Sequence, residues 1–236
     1  EYVAEYVGRH PEKLIGFCSV DPHDADAVEQ LDHAVTRLGL RGLKVGPIYQ
    51  NIHPQDERFL ALMGRAEALG VPVLIHQGTT FCSNVSLELA NPILLQPIAL
   101  KFPKLRMLIA HMGHPWIAET LVLIRKHPHF YSDISALYYR PWQFYNALVM
   151  AMEYGVLDKL LFGTDYPFTT PASTIAALKK VNDMAAGTNM PRIPEAKIEA
   201  MIYRDSLPLL GLAYAPQKPP HPTLSPRERV YILGRE

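Results

Sequence analysis

Three apolar runs in this chain end in titratable side chains. Val73-Leu-Ile-His76-Gln-Gly closes on an imidazole, and Leu108-Ile-Ala-His111-Met-Gly does the same one unit later. Leu161-Phe-Gly-Thr-Asp165-Tyr-Pro closes on a carboxylate. Neutral imidazole and carboxylate are the usual ligands of zinc and similar divalent ions. A bound ion lowers the pKa of its water from about 16 to about 7, which makes hydroxide available at neutral pH. A neighbouring His or Asp can then move protons. A single His at the end of an apolar run is more often a hydrogen-bonded core residue. Three such groups at equivalent places, each followed closely by Gly or Pro, point instead to one joint site.

For these groups to meet, the elements that carry them must converge. Apolar runs begin at 14, 42, 73, 107, 130 and 160, each followed by an amphipathic stretch, so the repeating unit is about 30 residues long. The helices are expected over 24–38, 56–69, a short stretch ending at Phe102, 115–126, 141–154, 172–186 and 195–203. The runs are continuously apolar rather than alternating, as in strands of a parallel sheet whose two faces are both covered. Strict alternation of strand and helix gives a parallel α/β fold. No Gly-rich phosphate loop follows any strand, which argues against a dinucleotide-binding sheet. Polar residues gather at strand C-termini, the active face of a closed barrel.

Other residues near these strand ends join the candidate list. Lys44 ends the second run, and it reads more readily as an inward lysine paired with a carboxylate than as a site residue. Asp133 and Ser135 follow the fifth run and are placed to orient a histidine. His114 lies at the start of the next helix, as a substrate contact or a solvated cap. The loop 77–91, with Phe81, Cys82 and Asn84, is a candidate substrate lid. Tyr138, Tyr139, Trp142 and Tyr166 are placed to line a pocket or simply to pack the loops. His127-Pro-His129 has ligand-like spacing but precedes its strand, which puts it at the opposite face.

In these motifs the chain resembles the amidohydrolase-related family of metal-dependent hydrolases, in the branch that includes aminocarboxymuconate-semialdehyde decarboxylase. The matching pieces are Val-Leu-Ile-His76-Gln-Gly, Leu-Ile-Ala-His111-Met-Gly, Phe-Tyr-Ser-Asp133-Ile-Ser, Phe-Gly-Thr-Asp165-Tyr-Pro-Phe and a closing Leu-Pro-Leu-Leu-Gly-Leu212, in that order. The resemblance implies a (β/α)8 barrel with one divalent ion, zinc first and manganese second. In that pattern His76 and Asp165 are metal ligands, and His111, with Asp165, works as acid or base beside the ion. It implies hydrolysis of a small amide or lactone by a metal-bound hydroxide. The alternative is non-oxidative decarboxylation of a small unsaturated or aromatic acid. The family also takes two ligands from an H-x-H or E-x-H at the end of strand one, and no such motif stands ahead of Leu14. The first visible strand aligns with the family's third. Strands one and two are therefore expected to be missing, and a catalytically incompetent barrel fragment is a further alternative.

Composition sets the remaining limits. The 236 residues are 48% hydrophobic and 19% charged, enough for a substantial core. The 23 basic and 23 acidic residues cancel, leaving no excess charge for nucleic acid or an anionic membrane surface. Two cysteines far apart make no disulfide framework. Residues 1–9 lack the features of a signal peptide and read as the end of a helix. The barrel domain is expected over 1–213, and residues 214–236, rich in proline, as a disordered tail. A cytoplasmic protein with a small-molecule substrate is expected, with a second copy of the chain, as a homodimer, the one protein partner considered.

Overall fold

In the computed structural model residues 1–213 are described; the expected proline-rich tail at 214–236 lies outside them. Five parallel strands form one sheet in chain order: β1 (Leu43–Val45), β2 (Val73–Ile75), β3 (Met107–Ile109), β4 (Phe130–Asp133) and β5 (Leu160–Leu161). Leu43 pairs with Val73, Val73 with Met107 and Met107 with Phe130, so the first four strands start level, while β5 begins two residues farther along β4, with Leu160 opposite Ser132. Sequential order with no reversal is the topology of a barrel wall, whereas a doubly wound sheet reverses at a switch point.

Nine helices pack around or between the strands of the described residues: α1 (Tyr2–Gly8), α2 (Ala27–Thr36), α3 (Pro47–Gln50), α4 (Glu57–Leu69), α5 (Gln96–Lys101), α6 (Ile117–Lys126), α7 (Pro141–Glu153), α8 (Pro171–Lys179) and α9 (Glu195–Tyr203). Helix α4 shows how local sequence sets these elements. The Asp56 carboxylate accepts the Arg58 N–H at its start, Gly70 takes the left-handed conformation at its end, and Phe59, Leu62, Met63 and Ala66 form the buried stripe between. That stripe packs in one core with Leu43, Val45, Val73, Ile75, Met107 and Ile109.

Two expectations need correction. The Leu14–Val20 run does not form a full sixth strand and joins the sheet through a single parallel bridge, Cys18 to Leu43. Its backbone still follows β1, with the Cys18 N–H on the Gly42 carbonyl at 2.9 Å. The Gly16 carbonyl also accepts the Arg41 N–H at 2.8 Å and the Cys18 carbonyl the Lys44 N–H at 2.6 Å, and Asp21-Pro22 ends the run, since Pro does not sustain strand pairing. The helix expected over 172–186 ends instead at Lys179. Beyond it the buried Asn182 turns its side chain away: its amide donates to the Ile193 carbonyl and its oxygen accepts the Ile193 N–H, both at 2.8 Å. A side chain that bonds backbone in this way competes with helix continuation, and Val181–Ala185 is a 3-10 turn.

The strands are not covered alike on both faces. Alternate residues of β1, β2 and β3 are fully buried against helices, while Lys44, Leu74 and Leu108 on the inner side are half-buried. Lower on that inner side Tyr131, Leu161, Leu210 and Leu212 form a second small cluster, with Ile15 and Phe17 packed on it. The inner face thus stays partly open at the C-terminal ends of the strands.

Candidate functional site

His76 is the first residue after β2, and its backbone N–H extends the ladder to the Val45 carbonyl at 2.9 Å. Its imidazole is buried, with Nε2 3.1 Å from the Thr79 carbonyl. A carbonyl only accepts, so Nε2 holds the proton and Nδ1 keeps its lone pair. Burial, reinforced by His111 nearby, pushes the imidazole down to about 4. His76 is therefore neutral at physiological pH. The Tyr49 ring lies 4.7 Å from it and the His111 ring 5.4 Å.

His111 sits just past β3, where Ala110–Gly113 make a tight turn. His111 and Met112 have φ of 56° and 50°, a left-handed conformation costly for residues with a Cβ. Asp133, at the end of β4, holds that turn in place. Its Oδ1 accepts the His111 N–H and the Ser135 N–H, each at 3.0 Å, and also the Ser135 hydroxyl. The serine proton is thus committed to Asp133, so Ser135 Oγ accepts from His111 Nδ1 at 2.7 Å. This fixes the tautomer and leaves Nε2 of neutral His111 with a free lone pair. Nε2 lies 3.9 Å from Asp165 Oδ2. The turn also depends on Gly113: at φ 63°, a Cβ there would stand 2.1 Å from Thr120 Oγ1.

Asp165 follows β5 through Phe162-Gly-Thr and is likewise left-handed, with φ 60°. The Thr169 hydroxyl donates to the Thr164 carbonyl and ties this turn down. Gly163 lets the segment pass close to Asp133, where a Cβ would come within 3.2 Å of the Asp133 Cβ. The Asp165 carboxylate is 39% exposed and accessible from the cavity.

Two adjoining cavities share Tyr49, His76, His111, Asp165 and Phe168 as walls. The inner one, about 470 Å3, adds Lys44, Leu74, Leu108, Asp133 and Ser135. The outer one, about 130 Å3, adds Thr79, Phe81, His114, Tyr139 and Arg140. Lys44 departs from expectation. Among the described residues no carboxylate lies within 4.0 Å of its amine. Burial pushes its amine pKa down, while Asp133 and Asp165 oppose that shift at longer range. Inside a barrel whose inner face stays open, the lysine lines a cavity instead of closing a pair.

The remaining candidates divide. His114 lines the outer cavity and bonds Gln143 Oε1 through Nε2 at 2.7 Å. It is not a helix cap, because α6 begins only at Ile117. Tyr166 is 74% exposed and lines neither cavity. Trp142 borders a separate groove beside α6 and α7. Of the loop 77–91, Phe81 reaches the outer cavity, whereas Cys82 and Asn84 do not. Buried Gln77 anchors that loop by donating to the carbonyls of Leu89 and Asn91 at 2.7 and 3.1 Å. His127 and His129 precede β4, at the opposite end of the strand from Asp133. Sequence reading missed Tyr49, Phe168 and Arg140. Each stands a few residues beyond a strand end already singled out.

The donor chemistry here fits a divalent ion: a neutral imidazole with a free lone pair on His76, and an accessible carboxylate on Asp165. The number falls short of the usual four, and among the described residues no three His, Cys, Asp or Glu side chains are clustered closely enough to cage an ion.

The amidohydrolase family model matches residues 1–204. Dihydroorotase of Helicobacter pylori is 29% identical over 143 residues, which is 57% of this chain and 40% of that enzyme, so the chain spans about two fifths of that relative's length. An uncharacterized TIM-barrel protein from Bordetella bronchiseptica superposes with a TM-score of 0.68 at 21% identity, over 89% of this chain and 71% of that one. A 5-carboxyvanillate decarboxylase from Novosphingobium aromaticivorans, complexed with manganese and 4-hydroxy-3-methoxy-5-nitrobenzoic acid, superposes with a TM-score of 0.64 at 16% identity, over 89% and 68%.

Proposed function

The chain belongs to the amidohydrolase family, and from that premise we propose that it serves metal-dependent, non-oxidative decarboxylation of a small flat acid. The observation that carries this reading is the setting of His111. Its Nδ1 is fixed by Ser135 and Asp133, its Nε2 is open beside Asp165, and aromatic side chains wall the space in front of it. In that space Tyr49, Phe81, Tyr139 and Phe168 suit a planar ring. His76 Nδ1 and Asp165 would hold a divalent ion, which would supply positive charge against a substrate oxygen.

His111 is the proton donor in this scheme. In its doubly protonated form Nε2–H faces the ring carbon that bears the carboxylate. Transfer of that proton forms the new C–H bond. The C–C bond then breaks, its electron pair returns to the ring, and CO2 leaves. Asp133, through Ser135, stabilises the positive charge on His111 before transfer and keeps the ring oriented after it. Asp165 faces the same nitrogen, with its Oδ2 3.9 Å away. The manganese-bound decarboxylase among the structural neighbours supports this chemistry by analogy of fold.

Hydrolysis of a cyclic amide or lactone is the second reading, favoured by the match to dihydroorotase. There His111 would take the proton from the attacking water. Incubating the manganese- or zinc-loaded chain with aromatic carboxylates, lactones and cyclic amides separates the two. Release of CO2 that disappears in His111→Asn supports decarboxylation. Ring opening without CO2 favours hydrolysis, and neither product from any compound overturns the proposal.

A further inference from the structure

Building on the reading of this site as one for a flat acid, we propose that Arg140 is its specificity determinant, binding an anionic group of the substrate at the outer end of the cavity. The arginine is held at its base and free at its tip. Its N–H donates to the Leu137 carbonyl and its own carbonyl accepts the Phe144 N–H, both at 2.9 Å. Pro141, with its fixed φ, follows at once and opens α7. The guanidinium carbon lies 4.6 Å from the centre of the Tyr139 ring, a cation–π contact that constrains the fork without using its N–H donors in hydrogen bonds.

Those donors are unused within the described residues: no side-chain hydrogen bond or ion pair involves the Arg140 guanidinium. Arg37, Arg106 and Arg125 are likewise unpaired among the described residues, but none of them lines either cavity, whereas Arg140 does. Among the described Arg, Lys, Asp and Glu residues, Arg140 and Asp165 are the one basic and the one acidic side chain lining the outer cavity. Arg140, which lines the outer cavity and not the inner one, attracts an anion at the outer end. A planar guanidinium prefers a carboxylate, which it grips through two parallel bonds. His111 faces the reacting bond at the inner end, so the group at Arg140 is one that the reaction leaves in place. The ligand class is a small planar compound with a carboxylate remote from the reacting bond.

The test needs no catalysis and no metal. Binding of 4-fluorobenzoate and of its neutral analogue 4-fluorobenzamide to the chelator-treated full chain is followed by 19F line broadening. Arg140→Met should weaken benzoate binding by about tenfold or more, the range of a lost charge-assisted pair, and leave benzamide within about twofold. Arg140→Lys should restore part of the benzoate affinity. Absence of benzoate binding to the wild-type chain, or equal weakening of both probes, overturns the assignment whatever reaction the enzyme performs. Selective loss of benzoate binding upholds it even where no CO2 is released, so its failure is distinct from failure of the proposed decarboxylation. In turnover with an acid substrate, Arg140→Met should raise KM far more than it lowers kcat.

Discussion

The buried His76 makes the stability of this fold depend on pH with a sign that can be worked out. Burial lowers its pKa in the folded protein from 6.5 to about 4, and the unfolded chain restores the ordinary value. As pH falls below 6.5 the unfolded chain binds a proton that the folded protein still refuses, so stability drops. The contribution is complete above about 6.5, is down by about 2 kcal/mol at pH 5, and by about 3 kcal/mol at pH 4. For a chain of this size that corresponds to a melting point lower by roughly 6–12 °C at the acid end. Carboxylates and the other histidines titrate over the same range, so the measured quantity must be a difference. His76→Gln keeps an N–H for the Thr79 carbonyl but cannot be protonated. Urea unfolding of both proteins in chelator between pH 7 and 4.5 should give a steeper acid loss for the wild type by about 2 kcal/mol. The chelator matters because an ion on Nδ1 would itself block protonation. Parallel acid losses in the two proteins, or an imidazole NMR titration of His76 near 6.5 in the folded state, would refute the burial argument.

Three further outcomes are expected. Ser135→Ala should lower kcat by about 10–100-fold with KM nearly unchanged, because His111 loses the acceptor that fixes its tautomer; turnover within twofold of wild type would remove Ser135 and Asp133 from the orienting role. Asp165→Ala should abolish most manganese or zinc binding in equilibrium dialysis, and retained stoichiometric metal would disprove its place as a ligand. Gly113→Ala should destabilise the fold by about 3 kcal/mol or more in urea melts, combining left-handed strain with the clash on Thr120, and a cost under about 1 kcal/mol would contradict the tight turn described at His111.

What could be read from sequence follows from where the information resides. His76, His111 and Asp165 were legible because each ends a continuous apolar run. A parallel strand fixes both the location of such a residue and its direction, since side chains just beyond the C-terminal end of each strand share one mouth. Asp133 and Ser135 were legible as orienting groups for the same reason, and they meet His111 through bonds of 3.0 and 2.7 Å respectively. The side of the mouth built by loops was not legible. Tyr49, Phe168 and Arg140 project from short turns whose paths depend on left-handed residues such as Asn51, Ala136 and Asp165, and no periodicity marks those. Lys44 shows the converse failure. An inward lysine on an apolar strand ordinarily implies a buried partner, but that inference assumes a closed interior. Here the inner face is half-buried at Lys44, Leu74 and Leu108, and the amine lines a cavity between Asp133 and Asp165 without pairing with either. Whether a buried charge is paired or left available is decided by the far side of the cavity, in residues distant in sequence. The same argument makes Arg140 informative: its base is fixed by local backbone bonds, while its unused donors can be recognised only once the opposite wall, with Asp165, is in view.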